Sequence, residues 1–158
     1  MPAVRMEKSK PMTIAYVEHL GSYDAIPLDK YVGELAKWAS EKGLRTSREP
    51  VGIFYDAPDT TPPGMCRSEI GIPVTGVTQP EGAFKLKEMP GMDVAVVNHD
   101  GPARDYAGTY RALTEWIAGN GYEGVGPSFE TYPKKPTKRA GELILHTKIH
   151  APVRKKAP

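Results

Sequence analysis

PMTIAYVEHLG (Pro11–Gly21) returns eighty residues later as GMDVAVVNHDG (Gly91–Gly101). Met12 aligns with Met92, Ala15 with Ala95, Val17 with Val97, His19 with His99 and Gly21 with Gly101. Upstream, VRMEKSKP (Val4–Pro11) parallels FKLKEMPG (Phe84–Gly91). Downstream, Tyr31-x6-Trp38 parallels Tyr110-x5-Trp116, Gly43 parallels Gly121, and SEIGIPV (Ser68–Val74) parallels TKIHAPV (Thr147–Val153). A period of eighty exceeds the roughly 20–50 residues of a solenoid repeat. Two copies, over residues 3–74 and 83–153, are therefore expected to pack as one stand-alone, pseudo-twofold domain spanning residues 1–158. A groove between the repeats is then the natural small-molecule site.

Within each copy the pattern reads strand, helix, strand, strand, preceded by a short strand. Met12–His19 is rich in β-branched and aromatic residues, as a strand should be. Leu20–Asp24 is a turn, with Ser22 or Asp24 as candidate caps and Pro27 tolerable in the first helical turn. Leu28, Tyr31, Val32, Leu35 and Ala39 follow helical spacing up to a stop at Gly43. Pro50–Tyr55 and Cys66–Val74 are two strands flanking the Pro/Gly-rich loop Asp56–Met65. The second copy repeats this with strands Phe84–Glu88, Met92–His99, Pro127–Tyr132 and Glu142–His150. Its helix lies around Ala103–Ala118, with Tyr106, Tyr110, Leu113 and Ile117 as one apolar stripe and Gly119 and Gly121 as the stop. The expected class is α+β, a mainly antiparallel sheet with both helices on one face. Val94–Val97 and Leu143–Leu145 are apolar on both parities, so the face away from the helices is covered too, which points to that face for the site.

Composition narrows the function classes. Sixteen glycines and sixteen prolines make a turn-rich chain, below the level of disordered tracts. A net charge of +2 gives a nucleic-acid role no support, and Arg154-Lys155-Lys156 reads as a solvated tail. A lone Cys66 excludes an internal disulfide and fits a reducing compartment, and no apolar run approaches a membrane span, so a cytoplasmic protein is expected. No phosphate-binding loop, serine nucleophile elbow or dinucleotide fingerprint is present. His146 and His150 would stand roughly 13 Å apart along a strand, too far to share an ion, so neither metal nor cofactor is expected. His19 and His99, repeat mates at strand ends, read as turn-stabilising imidazoles.

The order of AYVEHLGSY (Ala15–Tyr23), EIGIPV (Glu69–Val74), GPSFETY (Gly126–Tyr132) and KIHAPV (Lys148–Val153), with the duplication, resembles the gyrase-inhibitor-like small-molecule-binding domain. The same domain forms the effector-binding part of AraC- and MerR-type multidrug-responsive activators. The resemblance covers about residues 3–153. It implies a pocket of aromatics around an acidic residue, suited to cationic or amphipathic aromatic compounds. The family's glutamate lies in a Glu-x-Tyr motif, here Glu130-Thr131-Tyr132. The chain departs from the pattern at Pro133-Lys134-Lys135, and at Lys148 and His150 where Glu and Tyr are common. Either basic residue could neutralise Glu130.

Period-two geometry independently puts Glu130 and Tyr132 on one face. A carboxylate in an apolar groove is costly until a cation arrives, and its raised pKa would also equip it as a general acid or base. Tyr16, Tyr55, Phe54 and Trp116 are the further candidates for ligand contact, with core packing as the alternative for each. Glu69 resembles a common first-repeat acid, with structural hydrogen bonding as its alternative. The expected function is binding of small amphipathic compounds, as a sensor or sequestering protein. Two other readings remain open. One is a hydrolase of electrophilic natural products with Glu130 as its catalytic group; the other is an interaction module for a protein such as DNA gyrase or a regulator.

Overall fold

The structure, a computed structural model, describes residues 3–47 and 49–158; Met1, Pro2 and Arg48, which the expected 1–158 domain takes in, lie outside the described residues. In chain order the elements are β1 (Arg5–Lys8), β2 (Met12–Leu20), α1 (Leu28–Glu41), β3 (Arg45–Thr46), β4 (Val51–Phe54), β5 (Arg67–Thr75), β6 (Lys85–Met89), β7 (Asp93–Pro102), α2 (Tyr106–Gly119), β8 (Tyr122–Gly124), β9 (Ser128–Thr131), β10 (Thr137–Arg139) and β11 (Glu142–Lys155). The class is α+β with antiparallel strands, as the pattern implies. β1-β2-α1-β4-β5 and β6-β7-α2-β9-β11 are two passages through one element order. The short strands β3, β8 and β10 are additional.

The compact units do not coincide with the written copies. One unit is Pro11–Pro90; the other joins residues 3–10 to Gly91–Pro158. The cause is an exchange of leading strands. β1 pairs with β7, from Arg5 opposite Val96 to Lys8 opposite Asp93. β6 pairs with β2, from Met12 opposite Met89 to Tyr16 opposite Lys85.

In the Pro11–Pro90 unit the strand order is β4-β5-β2-β6, with β3 on the end of β5. Ala15, Val17, Ile70, Ile72 and Val74 face α1 and bury Leu35, Trp38 and Ala39. Phe84 stacks on Trp38, ring centroids 5.4 Å apart. The cap differs from expectation. Ser22 caps a single 3-10 turn at Tyr23–Ala25, and α1 starts after Pro27 with no side-chain cap. Gly43, at φ +74°, closes the helix in a conformation that suits glycine.

In the second unit the order is β1-β7-β11-β9, with β8 and β10 pairing opposite ends of β11. Ala95, Val97, Leu113, Ile149 and Val153 form the core beneath α2, joined by Met6, Tyr110, Trp116 and Ile117. Alternation puts Val94 and Val96 on the face away from α2, where they too are fully buried. β7 is thus buried on both faces, which its unbroken apolar run requires.

Both copies use the same strand-end imidazole. His19 Nε2 meets the Ser22 carbonyl at 3.3 Å and Nδ1 meets Tyr31 Oη on α1 at 3.0 Å. His99 Nε2 meets the Pro102 carbonyl at 2.9 Å and Nδ1 meets Thr109 Oγ1 on α2 at 2.7 Å. A carbonyl can only accept, so Nε2 donates, and in a neutral ring Nδ1 accepts from the hydroxyl. Each histidine thereby fastens the end of a strand to the helix that follows it.

Candidate functional site

Register on β11 decides where Glu130 points. Glu130 on β9 lies opposite Ile149, Phe129 opposite His150 and Thr131 opposite Lys148. Ile149 belongs to the core beneath α2, so Glu130 projects towards α2. Glu130 is thus on the face opposite to the one where the sequence points for the site. Phe129 takes that other face and stacks on His150, rings 4.3 Å apart.

The start of α2 closes over the carboxylate. Tyr106, the first residue of the helix, donates its hydroxyl to Glu130 Oε2. Tyr132 donates to Oε1 at 2.8 Å. One turn further along α2, Tyr110 Oη and Ser128 Oγ share a hydrogen bond of 2.7 Å. The Tyr106 ring meets His99 edge-on at 5.6 Å, so the imidazole that fastens β7 to α2 also braces this phenol.

Glu130 is 8 % exposed and, among the described residues, has no Lys, Arg or His as an ion-pair partner. Burial pushes its pKa up to about 7, and the Tyr132 hydrogen bond works the other way. Burial raises the Tyr132 phenol well above its ordinary value, and the adjoining carboxylate adds to that. Two neutral O–H groups thus hold a carboxyl group poised between its charged and uncharged forms.

Neither Lys148 nor His150 neutralises it. Lys148 and His150 share the parity opposite to Ile149 and face away from Glu130. Lys148 Nζ pairs with Glu7 Oε1 at 3.0 Å. His150 Nδ1 lies 3.3 Å from the Phe129 carbonyl, and burial, reinforced by the Lys148 charge, pushes its pKa down to about 4. Its ring is uncharged at neutral pH.

Of the expected aromatics, Tyr132 bonds Glu130 as its parity implies. Trp116 instead stacks on Tyr122 at 5.9 Å, near the other end of α2 from Tyr106. Phe54, in the Pro11–Pro90 unit, packs edge-on against Tyr23 at 5.0 Å. Tyr16 and Tyr55, in the same unit, gather around Lys87 and Glu69. The Tyr106 contact is not legible in the helical stripe, which reads as core. Its signal is an asymmetry between the copies, since α2 opens on a tyrosine where α1 opens on Leu28.

Two open cavities lie in the Pro11–Pro90 unit, one of about 370 Å³ beside Thr13, Leu44, Val74 and Leu86, the other of about 660 Å³ beside Met12, Pro73 and Met89. None of the expected ligand-binding residues lines either. Among the described residues no group of three or more His, Cys, Asp or Glu could hold a metal ion. No described helix is long and apolar enough to cross a membrane.

Compared with protein-family models, residues 2–154 match the GyrI-like small molecule binding domain. The chain belongs to this family. No curated protein matches it in sequence. Among solved structures the GyrI-like chain is similar to the EcmrR C-terminal domain, with a TM-score of 0.80 and 16% identity over 98% of this chain and 99% of that one. It is equally similar to EcmrR in complex with DNA, at a TM-score of 0.80 and 16% identity, and there its 99% coverage spans only 58% of the longer chain. A hydrolase from Listeria innocua matches at a TM-score of 0.67 and 14% identity, over 96% of this chain and 91% of that one. A protein solved with tetraphenylphosphonium bound matches at 0.52 and 15% identity, over 96% and 94%. At these identities the likeness is one of fold.

Proposed function

We propose that this GyrI-like domain binds small amphipathic aromatic cations, with Glu130 as the counter-ion and Tyr106 and Tyr132 as flanking aromatic groups, and serves to sense or sequester them. The observation that carries the reading is a buried carboxylate held, among the described residues, only by neutral donors. Such a group is costly in its charged form, because burial removes water and no cation replaces it. An aromatic cation offsets that cost in one step: its charge pairs with the carboxylate and its rings cover the phenols. The neighbour that holds tetraphenylphosphonium supports the ligand class, since that ion is a lipophilic cation bearing four phenyl rings. Binding is preferred to hydrolysis because a carboxylate flanked by phenols suffices for it, whereas hydrolysis also requires a positioned water and a polarising group.

Titration with tetraphenylphosphonium and with neutral triphenylphosphine oxide at pH 8, followed by calorimetry, tests this. The cation is expected to bind at least about tenfold more tightly, the contribution of one partly screened charge pair. Equal affinities, or a preference for the neutral compound, would overturn the reading.

A further inference from the structure

A second group of aromatic and acidic side chains, in the Pro11–Pro90 unit, already holds a cation, and that cation belongs to the chain. On the face of the sheet away from α1, Tyr16 on β2, Glu69 on β5, Lys87 on β6 and Tyr55, just beyond β4, converge. Register explains why: Tyr16 and Glu69 lie on strands paired at Tyr16–Gly71 and Glu18–Glu69, and Lys87 lies opposite Ile14, so all three side chains share one parity. The Lys87 ammonium sits 4.5 Å from the Tyr16 ring centroid and 5.8 Å from that of Tyr55. It donates to Tyr55 Oη at 3.1 Å and to Glu69 Oε1, and Tyr55 Oη donates to the same carboxylate oxygen at 2.7 Å. Gly71, opposite Tyr16, keeps the floor flat, because a Cβ there would lie 2.8 Å from the Ala15 carbonyl oxygen and 3.1 Å from Tyr16 Cβ.

An ammonium on an aromatic face, with a carboxylate and a phenol oxygen accepting its N–H groups, is the recognition chemistry of a cation site. We infer that Tyr16, Tyr55 and Glu69 form a binding site for primary ammonium groups, distinct from the one around Glu130, which Lys87 occupies as a tethered ligand. The preference for a primary amine follows from the acceptors: Glu69 and Tyr55 Oη each take an N–H, which a quaternary nitrogen does not have. Burial works against the ammonium, but the Glu69 and Tyr55 hydrogen bonds outweigh it and hold the Lys87 pKa above its ordinary value. The site is reachable, with Tyr55 37% exposed and the Lys87 side chain 27% exposed. An external amine therefore enters by displacing Lys87. The tether presents the lysine at an effective concentration of about millimolar or above, so the wild type admits free amines only weakly.

Lys87→Ala removes the tethered occupant and leaves a space for the missing propylammonium segment. n-Propylammonium is expected to raise the melting temperature of Lys87→Ala in a saturable manner, with an affinity at least about tenfold above that for the wild type. Neutral n-propanol should give no saturable shift, and Glu69→Gln in the Lys87→Ala background should abolish the effect. No saturable stabilisation of a folded Lys87→Ala protein, or an equal effect on the wild type, would overturn the inference. If that variant does not fold, the wild type still decides. The Lys87 ε-methylene proton resonances should be shifted upfield by the Tyr16 ring and should return towards ordinary values in Tyr16→Leu. Ordinary shifts in the wild type would show that the lysine does not occupy the site.

Discussion

Glu130→Gln is expected to weaken tetraphenylphosphonium binding by about ten- to a hundredfold at pH 8, while leaving triphenylphosphine oxide within about twofold. The size follows from charge. A cation centred about 6 Å from the carboxylate gains roughly 3 kcal/mol at an effective dielectric of 20, and the desolvation of both ions reduces the net to about 1.5–3 kcal/mol. The neutral compound is held by ring contacts and area, which the isosteric Gln preserves. The choice of pH matters: with a pKa of about 7, Glu130 is mostly charged at pH 8 and mostly protonated at pH 6. Lys148 and His150 do not blunt the effect, since both face away from the site and Lys148 is paired with Glu7. Calorimetric titration of both proteins with both compounds checks it. Equal losses for cation and neutral compound would make Glu130 a structural group.

The same substitution should have an effect on stability that grows across neutral pH. The Glu130 pKa is raised from 4.5 to about 7, so the folded state binds its proton more tightly than the unfolded chain does. For a raised carboxyl pKa the linkage runs against high pH. The contribution is fully present below about 4.5 and is lost as pH rises through about 7. Each pKa unit corresponds to about 1.4 kcal/mol, so ionisation costs the wild type about 3 kcal/mol by pH 8. Gln cannot ionise. Relative to the wild type, Glu130→Gln should therefore gain about 3 kcal/mol between pH 4.5 and pH 8. His150 contributes the opposite slope, since its lowered pKa removes stability as pH falls through 6.5 towards about 4. It does so in both proteins and cancels in the difference. Urea unfolding of the pair at both pH values measures this, and a difference that does not change with pH would contradict the burial of a titrating Glu130.

The strands and helices that set the architecture are legible because each satisfies one period over many residues. β2 and β7 carry long apolar runs, and α1 and α2 carry stripes that end at glycines. β3, β8 and β10 escape notice because they are two or three residues long, too short for the burial of one face to leave a pattern. The exchange of β1 and β6 is hidden for another reason. VRMEK and FKLKE have the same alternation, and alternation fixes which face a strand shows but not which neighbour it pairs with. At the site, parity joins Glu130 to Tyr132 without reference to the rest of the fold. Which side of the sheet they face depends on the register of β9 against β11, a long-range property. Tyr106 follows from the same register, because only a Glu130 turned towards α2 meets the first residue of that helix. Lys87 is equally concealed: KLKEM shows it only as one of two lysines on an alternating strand, and its place beside Tyr16 and Tyr55 comes from pairings that alternation does not specify.

The central claim, that an aromatic cation is held by the Glu130 carboxylate, implies that binding moves a proton. At pH 6 a group with a pKa of about 7 is largely protonated, and it must ionise to pair with the ligand. Tetraphenylphosphonium titrated calorimetrically at pH 6, in two buffers of different ionisation enthalpy, reads the protons released. The wild type is expected to release about 0.4–0.8 proton per ligand at pH 6, as a ten- to hundredfold preference for the ionised form requires, and close to none at pH 9, and Glu130→Gln none at either. Binding with no proton release from the wild type at pH 6, or with the same release from Glu130→Gln, would contradict the assignment of Glu130 as the counter-ion.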